Sequence, residues 1–383
     1  MTSPKKVFIL TERSLHNGPR IIREIDALKD TFALFATGSS APFDKSVKFT
    51  PFSTLHSIVF KVVNAIARRL FQNKIVQTIF EQYPGVIRFV KDEKIDIVII
   101  HEASFLPCAV KMKRKLGVKI VFNAHEYHPL EFDQDPKWLA AYGRYNKTLY
   151  TQYLAQLDLL VNVCDGIAEK CVEEFGVKSL VVPNAAFQSS QEPTSHEGLP
   201  IRMIYHGGVI PSRRIEDMID VAVLLSETHS LDIMATVQPH YQDYFAFLKK
   251  KIEKVPTVRF IEAVPFKDIV PTIAAYDIGI YLLSSESFNN RHALPNKLFE
   301  FIQAKLAIAI SPSPEMKKVV EKYQLGVVAD DFTPQNLASK IAQLTREDIY
   351  RFKQNAVKAS AQESAEHYSQ AYLQAVKQLA GEH

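Results

Sequence analysis

The sequence contains no run of about 18 uncharged apolar residues, the length that a membrane-spanning helix needs. Its three cysteines, Cys108, Cys164 and Cys171, show no metal-ligand spacing, which is typical of buried thiols in a reducing compartment. Lysine and arginine total 46 against 42 aspartates and glutamates, and a net charge of +4 is too small to indicate nucleic-acid binding. The N-terminal segment MTSPKKVFIL lacks the apolar stretch and cleavage pattern of a signal peptide. We therefore expect a cytoplasmic protein with no nucleic-acid partner.

Several nucleotide-binding and hydrolytic motifs are also missing. The chain has no Walker loop and no G-x-G-x-x-G fingerprint, so neither a nucleotide triphosphatase nor a simple dinucleotide dehydrogenase is supported. It has no G-x-S-x-G nucleophile elbow either. The function must therefore be inferred from other polar clusters.

The chain has 383 residues, 47% of them hydrophobic, which is enough for two domains. Short Val- and Ile-rich runs alternate with amphipathic helices, and one polar stretch interrupts this rhythm. The pattern predicts an N-terminal domain over residues 1–187, a linker over 188–199 and a C-terminal domain over 200–360. A last helix, over 361–383, is predicted to pack back on the N-terminal domain. Apolar strands separated by helices are typical of covered parallel sheets. The predicted fold class is α/β, with two doubly wound, Rossmann-like domains facing each other across a cleft.

Two His-Glu pairs follow buried strands in the N-terminal half. His101 and Glu102 end one predicted strand, and His125 and Glu126 follow the next. Because ligands bind at the carboxyl ends of parallel strands, both pairs are candidates to line the cleft. The alternative is a hydrogen-bonded turn. A metal site at His125 and His128 would lack a third ligand at a suitable spacing.

A glycine turn in the C-terminal half predicts an anion site. Gly207 and Gly208 end a predicted strand, and Arg213 and Arg214 follow at a helix start. Backbone amides and a guanidinium together favour phosphate. The alternative is a pair of solvated arginines.

The segment ALPNKLFEF predicts a second part of the same site. Pro295 opens a helix, Asn296 and Lys297 stand at its start, and Lys297 shares a helix face with Glu300. A lysine near a helix N-terminus suits a diphosphate, and a carboxylate one turn later suits a ribose diol. By spacing alone, a surface ion pair is the alternative.

Taken in order, these segments resemble the GT-B glycosyltransferases, and most closely the retaining family four. The resemblance covers nearly the whole chain and is strongest over the PNKLFE motif. It implies an N-terminal acceptor domain and a C-terminal domain that binds a nucleoside diphosphate sugar as substrate. Because Arg213, Lys297 and helix N-terminal amides would neutralise the leaving diphosphate, we expect that no cofactor and no metal is needed.

The resemblance assigns roles to particular residues. Arg213 and Lys297 match the cations that contact the donor diphosphate, and Glu300 matches the acid that holds the ribose hydroxyls. His125 matches a histidine near the transferred sugar. Gly18 matches the flexible loop beside the donor phosphate.

The chain departs from the family pattern at two positions. Gly208 stands where the family often has arginine, and His292 stands where it often has an acid that contacts the sugar, a role that Arg291 or His292 would take over in part. These departures leave the donor sugar and the stereochemical outcome open. Asp133 and Asp135 form the Asp-x-Asp pattern of a different glycosyltransferase fold, but we interpret them as an acidic surface loop.

We therefore predict a metal-independent, retaining transfer of a sugar to a hydroxyl of a glycan or lipid-linked glycan in surface polysaccharide synthesis. If the reaction instead inverts, Glu126 or Glu102 is the candidate base. A nucleotide-sugar epimerase and a non-catalytic nucleotide-sugar-binding scaffold subunit are the alternatives. The basic amphipathic segment Ser57–Ile79 predicts a peripheral contact with an anionic membrane surface, at the inner face of the plasma membrane.

Overall fold

The computed structural model describes residues 3–16, 18–55, 83–195 and 197–381, and it divides into two compact units. The first unit comprises Met1–Pro183 and Tyr368–His383, and the second comprises Asn184–His367. The predicted membrane-binding segment, residues 57–79, lies outside the described residues. In the part that is described, no helix is long and apolar enough to cross a bilayer.

The first unit is built on a parallel sheet with the strand order β3-β2-β1-β4-β5-β6-β7. Its strands are β1 (Lys6–Leu10), β2 (Ala33–Gly38), β3 (Lys48–Pro51), β4 (Ile97–Ile100), β5 (Lys119–Asn123), β6 (Leu159–Asn162) and β7 (Leu180–Val181). The chain moves outward from β1 to β3 and then returns to place β4 beside β1. This reversal is the switch point at which doubly wound sheets bind ligands.

Helices connect these strands because apolar residues recur at helical spacing between the strand segments. The longer ones are α1 (Pro19–Leu28), α2 (Pro84–Asp92), α3 (Leu106–Leu116), α4 (Arg144–Tyr153) and α5 (Asp165–Phe175). Gly117 ends α3 in the left-handed conformation, with φ of 74°, which glycine adopts without steric cost. A turn at Pro136–Trp138 and a π-helical segment at Leu139–Gly143 lead into α4.

The second unit is built on a parallel sheet with the strand order β10-β9-β8-β11-β12-β13. Its strands are β8 (Ile201–Gly208), β9 (His229–Thr236), β10 (Val258–Glu262), β11 (Ile278–Tyr281), β12 (Ala307–Ile310) and β13 (Gly326–Val328). Here the switch point lies between β8 and β11. The predicted α/β class with two doubly wound, Rossmann-like domains is confirmed.

One helix of the second unit, Asn296–Gln303, carries three of the residues that the sequence singled out: Asn296, Lys297 and Glu300. The helices of this unit are α6 (Ile215–Leu224), α7 (Gln242–Ile252), α8 (Ile269–Ile273), α9 (Phe288–Arg291), α10 (Asn296–Gln303), α11 (Pro314–Tyr323), α12 (Pro334–Ala342) and α13 (Arg346–Ala359). Gly279 on β11 leaves room for the ring of Phe301, which a Cβ at that position would overlap. This close approach seats α10 on the sheet and fixes the position of its first turn.

The last helix, α14 (Ala365–Ala380), contributes to the core of the first unit. Tyr372 and Val376 are buried in one apolar cluster with Val7, Ile9 and Ile97 of the central strands. The C-terminal residues of the chain therefore complete the first sheet's core. Cys108, Cys164 and Cys171 are buried free thiols.

Candidate active site

The glycine turn at the end of β8 is where the two predicted phosphate-binding cations meet. Gly207 has φ of 136°, a conformation that favours glycine. A Cβ on Gly207 would lie 3.3 Å from Arg213 Nη1 and 3.6 Å from Lys297 Nζ. Because Gly207 has no side chain, its backbone lies close to two cations from separate segments of the chain.

Lys297 occupies the switch point of the second sheet. It lies in the first turn of α10 and is only 6% exposed. Its Nζ is 3.7 Å from the ring centroid of Tyr281 on β11 and 4.9 Å from that of Tyr205 on β8, so aromatic faces stabilise the ammonium group. Burial, together with the charge of Arg213, holds the pKa of Lys297 well below its usual value, and Glu300 opposes this shift. A buried cation with so little compensation favours an anionic ligand.

The two arginines of the turn are placed differently. Arg213 Nη1 donates to the carbonyl oxygen of Gly208 at 3.2 Å and stays beside the glycine turn. Arg214 directs its guanidinium at Asp217, with bonds of 2.7 and 3.1 Å, and at Glu286, at 3.2 Å. Only Arg213 therefore shares the space next to Lys297, and a donor-binding role for Arg214 stays a prediction.

Glu300 lies one helical turn after Lys297 and is 4% exposed. Its Oε2 is 3.3 Å from Nε2 of His206, a buried residue on β8 that the sequence analysis did not select. Burial, then the charges of Lys297 and Arg213, lower the pKa of His206 to about 3, so this histidine is neutral. The signal that could have found it is its position as the last side chain before the glycine turn.

A carboxylate stands near the position where the family pattern expects an acid. His292 follows α9, and its Nδ1 lies 3.9 Å from Oε1 of Glu315 in the first turn of α11. Glu315 is 4% exposed and accepts a hydrogen bond of 3.2 Å from Lys318. The structure thus places an acid from a different helix beside the histidine.

In the first unit, the structure brings the predicted histidines together. His101 and His125 follow β4 and β5, and His101 Nδ1 is 2.8 Å from His125 Nε2. Glu102 accepts a hydrogen bond of 2.8 Å from Thr11, the residue after β1, so this bond spans the switch point of the first sheet. Arg13 Nε is 3.3 Å from the same Glu102 oxygen. Burial raises the pKa of Glu102.

Glu24 of α1 is the residue of this cluster that the sequence analysis missed. Its Oε2 is 2.8 Å from His101 Nε2, and its Oε1 accepts hydrogen bonds from Asn123 at 2.8 Å and Tyr372 at 2.5 Å. The available signal was an acidic residue on the apolar face of α1, directly before Ile25. The ring of His125 is thus held by a hydrogen bond shared with the ring of His101.

The remaining predicted residues of the first unit lie at turns. Glu126 is exposed. Gly18 precedes α1, where a Cβ would lie 2.9 Å from the carbonyl oxygen of Ser14. Asp135 is exposed and caps the turn that begins at Pro136. Over residues 3–16, 18–55, 83–195 and 197–381, no group of three or more His, Cys, Asp or Glu side chains is arranged to hold a metal ion.

The comparison with known families rests on the first unit. The family model described as Glycosyltransferase Family 4 matches residues 20–186. No curated protein sequence matches the chain.

Solved structures show the same fold at low sequence identity. HepE from Anabaena, in complex with UDP and glucose, is 14% identical with a TM-score of 0.71, covering 97% of this chain and 99% of that one. Sucrose-phosphate synthase from Thermosynechococcus elongatus is 10% identical with a TM-score of 0.75, covering 98% and 99%. A mutant of S. aureus TarM, in complex with fondaparinux, α-GlcNAc-glycerol and UDP, is 12% identical with a TM-score of 0.57. There the match covers 76% of this chain and spans 58% of that one. Residues 20–186 therefore resemble the family-four glycosyltransferases, and the chain has the fold of the GT-B glycosyltransferases.

Proposed function

We propose that this chain transfers a sugar from a nucleoside diphosphate to a hydroxyl of a glycan or lipid-linked glycan, with retention and without a metal, in surface polysaccharide synthesis. The convergence of Arg213 and Lys297 on the turn at Gly207 carries the proposal. Cleavage of the glycosidic bond places negative charge on the leaving diphosphate, and two preorganised cations stabilise that charge. Uridine diphosphate sugars are the donors to test first, because the HepE and TarM complexes contain UDP.

Each remaining side chain has a defined task in this proposal. Glu300 accepts hydrogen bonds from the ribose hydroxyls, and the amides at the start of α10, at Asn296, face the phosphates. His125 fixes the orientation of the transferred sugar. With retention, the departing phosphate oxygen takes the proton of the acceptor hydroxyl, so no separate base is required. In an inverting reaction, Glu102 or Glu126 would be the base.

The enzyme should be incubated with a panel of nucleotide sugars, with and without a lipid-linked glycan, while release of nucleoside diphosphate is measured. Release that requires the acceptor supports a transferase. Conversion of the sugar without acceptor would identify an epimerase, and binding without turnover would identify a scaffold. Loss of activity in chelator, restored by manganese or magnesium, would contradict metal independence and make Asp133 and Asp135 candidate ligands.

Binding of UDP is expected to be accompanied by proton uptake at Lys297. The pKa of Lys297 is lowered in the free protein, and a bound diphosphate raises it again, so binding increases the fraction of Lys297 that carries its proton. Affinity should therefore fall as the pH rises above the pKa of the free lysine. Calorimetry in buffers of different ionisation enthalpy measures the protons taken up.

The calorimetry is best done above about pH 7.5, where a terminal phosphate with a pKa of about 6 is already ionised and takes up no proton of its own. Lys297→Met is the matched control, since it keeps the apolar stem and removes the titrating group. Uptake that persists in this variant would assign the proton to another residue.

We further propose that the first unit contacts an anionic membrane surface. A surface pocket of about 500 Å³ between α2 and α3 is lined by four cations, Arg88, Lys91, Lys111 and Lys115, and by one acid, Asp92. Such an excess of positive charge attracts anionic headgroups. This pocket supplies positive charge independently of residues 57–79.

Charge reversal in this pocket tests the membrane contact. The double variant Lys91→Glu and Lys115→Glu should float with anionic liposomes less than the wild type at low salt. A double variant of exposed lysines on α7, Lys249→Glu and Lys250→Glu, has the same change in net charge and should float normally. If flotation falls equally in the two variants, or if the wild type does not float, a specific contact between this pocket and the membrane is refuted.

A further inference from the structure

A chain of short hydrogen bonds leads from a buried carboxylate to His125. Glu24 Oε2 lies 2.8 Å from His101 Nε2, and His101 Nδ1 lies 2.8 Å from His125 Nε2. Glu24 and His101 are buried, whereas His125 is half-buried. The chain therefore connects the core under α1 with the carboxyl edge of the sheet.

The protonation of Glu24 fixes one end of this chain. Burial alone would raise the pKa of Glu24, but His101, Tyr372 and Asn123 hold it below its ordinary value through charge and hydrogen bonds. An ionised carboxylate accepts hydrogen bonds and donates none. The proton between Glu24 and His101 therefore belongs to His101 Nε2.

A buried cation lies one helical turn before Glu24 on α1. Arg20, on the same helix, is 8% exposed, and Glu24 acts on its pKa as an opposite charge. When His101 carries a single proton, on Nε2, its Nδ1 presents a lone pair, and His125 then donates to it from Nε2.

We propose that Glu24 and His101 are positioning residues that hold His125 as its Nε2–H tautomer and leave its Nδ1 free to accept a hydrogen bond from a sugar hydroxyl. This deepens the proposed function and rests on it, because the sugar is the partner of His125 there. A ring nitrogen that only accepts favours a hydroxyl over a carboxylate. At this position the enzyme should therefore prefer a neutral hexose over a hexuronic acid.

Glu24→Gln is expected to reverse the chain of hydrogen bonds. Asn123 and Tyr372 both donate to Oε1 of Glu24, so the amide oxygen of the glutamine must take that place. The amide nitrogen then faces His101 Nε2 and donates to it. His101 would next donate from Nδ1 to His125 Nε2, and the proton of His125 would move to Nδ1.

Nitrogen-15 NMR of the histidine side chains distinguishes the two tautomers. We expect Nε2–H at His125 in the wild type and Nδ1–H in Glu24→Gln. Nδ1–H in the wild type, or the same tautomer in both proteins, would overturn the proposal. The wild-type spectrum alone tests the first half, even where the variant fails to fold.

Tyr372→Phe is the matched control for lost packing and hydrogen bonding. It removes one donor to Oε1 and leaves the contact between Glu24 Oε2 and His101 in place, so His125 should keep its tautomer. In the transfer assay, Glu24→Gln should lower kcat about tenfold or more, while UDP affinity and the kcat of Tyr372→Phe stay near wild type.

The tautomer of His125 and the kcat of transfer test the positioning of His125 and the proposed transferase function separately. If the wild type transfers no sugar from any donor, the proposed function fails, while the tautomer comparison still decides how His125 is held. Inverted tautomers with unchanged kcat would overturn the role of these positioning residues in transfer.

Discussion

Turnover of Lys297→Ala and of Arg213→Ala is expected to fall about a hundred- to thousandfold each, the usual cost of removing one group that stabilises a developing anion. Both cations lie beside the same glycine turn, and their interaction with the diphosphate strengthens as the leaving group gains charge. Turnover should therefore fall more than donor affinity. Because the two act on one charge, the double variant should lose less than the product of the single losses. Steady-state kinetics and UDP titration measure both quantities.

Stability is the control for these two variants. Lys297 is buried and its pKa is lowered, so its charge opposes folding, and Lys297→Met should leave Tm unchanged or raise it. A large fall in Tm with unchanged turnover would show that Lys297 is structural. If the double variant loses as much turnover as the product of the two single losses, Arg213 and Lys297 act on separate groups of the substrate.

Glu300→Ala is expected to weaken UDP binding about 10- to 150-fold for each ribose hydrogen bond lost, since bonds to a charged group contribute about 1.5–3 kcal/mol. Glu300 is buried one turn after Lys297, where the ribose of a diphosphate held by Lys297 would lie. Calorimetric titration of the wild type and the variant with UDP measures the loss.

Inorganic pyrophosphate separates a ribose contact from a general electrostatic effect. It has no ribose, and removing the negative charge of Glu300 near Lys297 should not weaken its binding. Glu300→Gln keeps the shape of the side chain and should lose less UDP affinity than Glu300→Ala. A parallel loss for pyrophosphate and UDP, or a variant that melts much lower yet binds UDP normally, would show that Glu300 is structural.

Local sequence patterns determined the elements and part of the site. The alternation of apolar runs and amphipathic segments predicts parallel sheets because the periods of 2 and 3.6 residues are properties of the local backbone. The spacing of Lys297 and Glu300 places both side chains on one face of α10 for the same reason. The glycine turn at Gly207 likewise follows from local backbone geometry.

Only the tertiary structure decided which of these groups meet. Arg213 and Lys297 converge because strand order places β8 beside β11, and that order depends on pairing between distant segments. Arg214, next to Arg213 in sequence, is instead directed at Asp217 and Glu286. Glu24 becomes the support of His101 because α1 packs over β4 and β5, and Tyr372 reaches it from the end of the chain. Such contacts join residues far apart in sequence, so no local period records them, and packing of the folded sheets alone determines them.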